Sequence, residues 1–115
     1  MKTGFGWVNV QGTTYEHDVV IHTDGSVTKR KKKASKALKG EYGHTPLSEL
    51  ELGFVTGEDP EVVYIGTGQY GDLPVTPEAQ SFLSRYSPVM KPTPSLLDRI
   101  EKENRRFIAI LHVTC

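Results

Sequence analysis

Four strand-forming residues in succession, Val62, Val63, Tyr64 and Ile65, run directly into Gly66, Thr67, Gly68, Gln69, Tyr70 and Gly71. A run without polar alternation suits a strand covered on both faces, the kind found in α/β sheets flanked by packed layers. The glycines permit the positive φ or close backbone approach that other residues resist. The segment therefore predicts a buried strand that stops at a tight turn, with a candidate site at that turn.

Around this strand the remaining elements fall into order. Phe5 to Val10 and Tyr15 to His22 are strand-like, with a glycine turn over Gln11 to Thr13, and predict a hairpin. In the second of these, Tyr15, His17, Val19 and Ile21 share one face and Glu16, Asp18, Val20 and His22 the other. Asp24-Gly25, between Ile21 and Val27, predicts a second hairpin through a type I′ turn. Thr-Pro occurs three times before an apolar pattern of helical period: Thr45-Pro46, Thr76-Pro77 and Thr93-Pro94. A threonine hydroxyl can accept from a first-turn N–H, and proline at the first helical position has none to leave unpaired, so each pair predicts a helix start. The stripes that follow are Leu47, Leu50 and Phe54, then Ala79, Phe82, Leu83 and Tyr86, then Leu96, Leu97 and Ile100. Asn104 continues the last stripe and predicts a hydrogen bond that holds its helix in register. Val89 and Met90, after the second helix, complete a βαβ unit with Val62 to Ile65, with parallel strands and a right-handed crossover. Phe107 to Val113 reads as a central strand. The 115 residues are most simply one domain over 1–115.

Charge sets further bounds. Basic and acidic residues balance at 14 each, which removes net charge as an argument for nucleic acid or membrane binding. No apolar run approaches the roughly 18 residues of a membrane span, and the start carries no apolar signal core. The single cysteine, Cys115, excludes an intramolecular disulfide. The chain reads as a soluble cytoplasmic protein. Seven of its fourteen basic residues, however, fall within Lys29 to Lys39. Like charges this close predict a solvated strand edge or a mobile loop, and the alternative is a polyanion contact. No aromatic residue interleaves the run, as single-strand binders require, so the edge reading is preferred.

Two constellations bear on chemistry. In a parallel pair both strands end on one edge of the sheet, which brings Gly66, Thr67, Gly68 and Gln69 near Lys91 and Thr93. Backbone N–H groups, helix N-termini and Lys91 at such an edge predict a ligand site for a small phosphate or carboxylate. The turn lacks the third glycine of a dinucleotide fingerprint and the Lys-Ser/Thr of a P-loop, so a glycine turn required only for packing is the competing reading. Second, His112 and Cys115 are separated by two residues, and His17, His22 and His44 complete the histidines. Their scatter argues against a metal site. Strand alternation, which sends neighbours to opposite faces, argues against a Cys/His nucleophile. No cofactor is implied.

The early strand containing Gly6 with the turn at Gly12, the Val63-Tyr64-Ile65-Gly66-Thr67-Gly68 strand and turn, the Thr93 helix start, Asn104, and the ending His112-Val113-Thr114-Cys115 together resemble the Mth-type domain family. That family includes an adipogenesis-associated protein and a mitochondrial complex I assembly factor. The resemblance implies a three-layer α/β fold with a central mixed β-sheet, an additional hairpin layer, and a last strand antiparallel to the others. It implies no established enzymatic activity. The expectation is a binding or assembly-factor domain that takes a protein partner or small anionic ligand at the Gly66–Gly68 edge. The alternatives are an enzyme acting on a phosphorylated or carboxylated metabolite, through a base that the sequence does not identify, and nucleic-acid contact through Lys29 to Lys39.

Overall fold

A computed structural model describes residues 1–115. Strands β1 (Lys2–Gly4), β2 (Trp7–Val10) and β3 (Thr13–Tyr15) form a small antiparallel meander. Strands β4 (Val19–Ile21), β5 (Val27–Lys29), β6 (Val62–Thr67), β7 (Pro88–Lys91) and β8 (Phe107–His112) form a mixed sheet in the order β5-β4-β8-β6-β7. Helices α1 (Lys39–Tyr42), α2 (Gly53–Glu58), α3 (Pro77–Leu83) and α4 (Leu97–Glu101) connect them.

The alternation of β6 and β8 divides the core into two layers. Val62, Tyr64, Ala109 and Leu111 face Val8 and Val10 of the meander and Leu96, Leu97 and Ile100. Val63, Ile65, Ile108 and Ile110 face Val55 of α2 and Ala79 and Leu83 of α3. Both central strands are therefore covered on both faces, as unbroken apolar runs require. The result is a three-layer α/β fold with a mixed central sheet.

The meander contains one strand more than the expected hairpin, because Lys2–Gly4 pairs along β2. Its turn at Gln11-Gly12 has positive φ at both residues, 51° and 87°. The type I′ geometry expected at Asp24-Gly25 thus lies here. In the β4–β5 hairpin only Gly25 has positive φ, and the N–H of Gly25 donates to His22 O while that of His22 donates to Ser26 O, the longer loop with glycine at its left-handed position. Between the two sheets the strand expected over Tyr15 to His22 is interrupted at 16–18, where the chain crosses from one sheet to the other.

The βαβ unit is present: β6 and β7 are parallel, joined through α3. β8, expected to oppose the other strands, opposes β4 alone and runs parallel to β6. The crossover through α4 returns the chain to the edge from which β7 started, and a strand entered from that edge runs parallel. Only one Thr-Pro pair begins a helix as expected. Thr76 caps α3, its hydroxyl accepting from Ala79 N at 3.1 Å, with Pro77 as the first helical residue. After Thr45-Pro46, Leu47 instead forms a parallel bridge to Val75, and Ser48 caps the following 3₁₀ turn. The buried stripe there is Leu47, Leu52 and Val55, while Leu50 is exposed.

The basic run is not one loop. β5 is an edge strand, but Lys32–Leu38 winds into a 3₁₀ helix, and the buried Ser35 hydroxyl holds it to Glu51 Oε2 at 2.5 Å and Ser48 Oγ at 2.6 Å. Arg30 is only 4% exposed. No helix is long and apolar enough to cross a membrane. Replacing the buried cap by Thr76→Ala is expected to cost about 1 kcal/mol in a urea melt, with the fold retained.

Candidate functional site

The glycine turn is shaped by close packing. A Cβ on Gly66 would stand 2.6 Å from Thr93 Oγ1, and one on Gly68, at φ +102°, would stand 2.4 Å from the Cys115 carbonyl carbon. Neither position can carry a side chain without moving backbone or a buried threonine. Thr93, fully buried, is not a helix cap: its 3₁₀ turn follows Pro92 without a side-chain cap bond. Its hydroxyl accepts from Gly68 N at 3.0 Å and donates to His112 O at 2.7 Å, tying the turn to the end of β8.

The N–H groups expected to face an anion are engaged within the protein. Gln69 N donates to Thr114 O, and Tyr70 N and Asp72 N both donate to Cys115 O, at 2.7, 3.1 and 3.0 Å. The segment after β8 lies in the turn and takes its donors. The Gln69 side chain reaches Thr3 Oγ1 at 3.0 Å, bridging to the small sheet. Lys91 is exposed at the end of β7, beside Gly66 in register. Gly66, Thr67, Gly68, Gln69, Lys91 and Thr93 thus share one edge. Asn104 does not join them: α4 ends at Glu101, and Asn104 is exposed beyond it. The register bond expected of it is made by its neighbour Glu103, which accepts from Tyr64 Oη at 2.5 Å.

Beside this edge lies a polar row that spans three strands. Val19 pairs with Lys29 on one side and Leu111 on the other, so the next residues outward, Arg30, Asp18 and His112, stand abreast. Asp18 Oδ2 accepts from Arg30 Nη1 at 2.9 Å and faces His112 Nδ1 at 2.8 Å, while Oδ1 accepts from Val113 N at 2.9 Å. Arg30 also donates to both oxygens of Glu51, at 2.7 and 3.0 Å, and to Pro46 O at 2.9 Å. Burial by itself raises the Asp18 pKa. The hydrogen bond and charge of His112, the Val113 N–H and Arg30 outweigh it and hold the carboxyl at about 2, against an ordinary 3.8. Burial likewise works against the Arg30 charge, and Glu51 and Asp18 more than restore it, so its pKa is raised.

In the neutral ring, an Nδ1–H donated to the ionised Asp18 leaves the other ring nitrogen of His112 as the acceptor. That nitrogen, Nε2, lies 3.2 Å from Thr114 Oγ1. Both residues line a cleft of about 190 Å³, together with Lys32, Lys39, Asp72 and Cys115. His112 and Cys115 therefore share a cavity, contrary to the expectation from alternation, because β8 ends at His112 and the pleat does not continue to residue 115. The ring of His112 is thus held by Asp18 at the wall of this cleft. No three His, Cys, Asp or Glu side chains converge as a metal ligand set; His22, for example, is held by Glu58 and Thr28.

Arg30 and Asp18 escape sequence reading. Arg30 is embedded among lysines, and its one distinguishing mark is that it is the sole arginine of the run. The Asp18–His112 contact follows from register between strands 94 positions apart. Because the folded pKa of Asp18 lies below its unfolded one, its stabilisation is complete above an ordinary 3.8 and is lost as pH falls through about 2. The loss amounts to about 2 kcal/mol. Asp18→Asn is expected to abolish that acid-range dependence and to destabilise the protein by roughly 3 kcal/mol at neutral pH, as breaking a buried pair does. Urea melts of both proteins at a series of pH values check this; parallel pH profiles would contradict it.

No family model matches the sequence, and no curated protein does. Among solved structures, the conserved hypothetical protein PH1505 from Pyrococcus horikoshii OT3 superposes with a TM-score of 0.86 at 33% identity, over 100% of this chain and 98% of its own. The structure titled MT938 does so with a TM-score of 0.81 at 34% identity, over 100% and 96%. A protein from Bordetella parapertussis, 18% identical over 97% and 92% with a TM-score of 0.54, shares the fold. With a third of its residues identical along its whole length, the chain belongs to the family that contains PH1505 and MT938.

Proposed function

We propose that the protein binds a small anionic ligand, a carboxylate or a phosphate, in the cleft beside His112. The observation that carries this reading is the presence of Lys32 and Lys39 on the cleft wall, neither paired with a carboxylate of the protein. Arg30 is committed to Asp18 and Glu51, which leaves the two lysines as the positive side chains on the cleft wall without a carboxylate partner. The site lies outside the carboxyl ends of β6 and β8, where open α/β sheets place ligands. The anion site expected at the glycine turn is thereby moved to the adjoining cleft, since the turn's own donors are engaged.

Kinship with the Mth-type domain proteins forms part of this reading. It rests on the glycine turn and the His112 to Cys115 ending, which here pack against each other. A ligand at one hundred times its Kd stabilises a protein by about 2.7 kcal/mol. Inorganic phosphate or citrate is expected to raise the Tm by several degrees at constant ionic strength. Lys32→Ala/Lys39→Ala is expected to weaken the affinity at least tenfold in calorimetric titration. An unchanged Tm at saturating concentrations of both anions would overturn the reading.

A protein partner at the glycine edge is a second reading, favoured by Phe5 and Tyr70. The two residues are 57% and 71% exposed and their rings lie 6.1 Å apart, Tyr70 within the turn itself. Large aromatic residues left in water side by side are the anchors that interfaces employ. Affinity capture from native extract is expected to recover a nuclease-resistant partner with the wild type and to lose it with Phe5→Ser/Tyr70→Ser. Equal recovery with both would exclude this edge.

A further inference from the structure

The cleft holds more than charge. Thr114 Oγ1 has a single hydrogen-bond partner, His112 Nε2, and that ring is fixed from behind by a carboxylate that is itself fixed by Arg30 and a backbone N–H. A hydroxyl, an imidazole and a buried carboxylate joined in this order form the arrangement by which an alcohol becomes a nucleophile, recognised by geometry and role and not by sequence position. We infer that Thr114, His112 and Asp18 constitute a nucleophilic relay that hydrolyses esters of carboxylate-bearing acids. The inference rests on the reading of the same cleft as an anion site, because Lys32 and Lys39 would hold the substrate's free carboxylate.

The steps balance without a cofactor. Thr114 Oγ1 attacks the ester carbonyl and forms a C–O bond while its proton passes to His112 Nε2. Collapse of the tetrahedral intermediate breaks the bond to the leaving alcohol, which takes that proton and departs. Water then attacks the acyl-Thr114 ester, giving its proton to His112 and breaking the acyl–Oγ1 bond. His112 returns the proton to Oγ1, which releases the free acid and restores the hydroxyl. Asp18 stays ionised throughout and acts as a positioning residue, holding the proton on Nδ1 and stabilising the imidazolium that forms transiently.

The test uses two para-nitrophenyl esters, the hemisuccinate, which carries a carboxylate, and the neutral acetate. The wild type is expected to hydrolyse the hemisuccinate faster than the acetate and, on rapid acid quench, to carry one succinyl group on Thr114 by peptide mass spectrometry. Thr114→Val is expected to lower the rate at least roughly a hundredfold, as loss of general-base-assisted attack does. Thr114→Ser, which keeps a hydroxyl in the same place, is expected to retain a substantial fraction. Phosphate titration of each variant separates the two readings. Phosphate binding without ester turnover in the wild type removes the relay and leaves the anion site, whereas turnover of both esters at equal rates without phosphate binding removes the anion site. A full rate in Thr114→Val, or a succinyl group found on Cys115 or a lysine in place of Thr114, would overturn the relay.

Discussion

A carboxylate removed from water must be enclosed by donors or it will not stay charged, and Asp18 is enclosed on every side. It sits where the chain passes from the small sheet to the large one, 7% exposed, and its three partners come from the residue after β5, from β8 and from the segment after β8. β5 and β8 flank β4 in the sheet and are distant from each other in sequence. Pulling any one of them out would leave a buried charge without its counterpart. Arg30 extends the same demand to Glu51, and Glu51 to Ser35, so that the lysine-rich segment is drawn against the sheet by a chain of polar contacts. What composition presents as a repelling run of positive charge is thus organised from beneath by one arginine that points inward.

The second constraint is steric. Gly66 and Gly68 leave room for Thr93 and for Cys115, and the Thr93 hydroxyl spans the gap by accepting from the turn and donating to β8. The charge network and the glycine packing meet at His112, whose carbonyl accepts from Thr93 while its ring faces Asp18. One residue is therefore held at both backbone and side chain, which is how a catalytic or binding group is kept in a single orientation.

The parts of this fold that are legible in the sequence are those with local causes. The unbroken apolar runs of β6 and β8, the Thr76 cap and the glycine turns each depend on a few neighbouring residues, and each lies where the pattern places it. Thr93 illustrates the limit. Thr-Pro carries the same local signal at 76 and at 93, yet the second threonine is diverted by partners at Gly68 and His112 that no local rule contains. Thr45 fails for a similar reason, since Leu47 is taken into a bridge with Val75. The anion reading of the glycine turn has the right edge of the sheet and the wrong donors, because the carbonyls that occupy those donors come from residues more than forty positions later. Asp18, Arg30 and His112 become neighbours only when the register of three strands is known.

The order of strands has a consequence for how the molecule comes to exist. β8, the central member of the sheet, lies between β4 and β6 and follows both in the chain. During synthesis on the ribosome, β4–β5 and β6–β7 emerge as two separate pairs, each with an apolar edge open on the side where β8 will later sit. Unpaired edges of this kind invite strands of other chains. The sheet closes in one late event, and the same insertion that buries the edges brings His112 beside Asp18. Until β8 has inserted, both pairs keep an open edge and the polar row around Asp18 is incomplete.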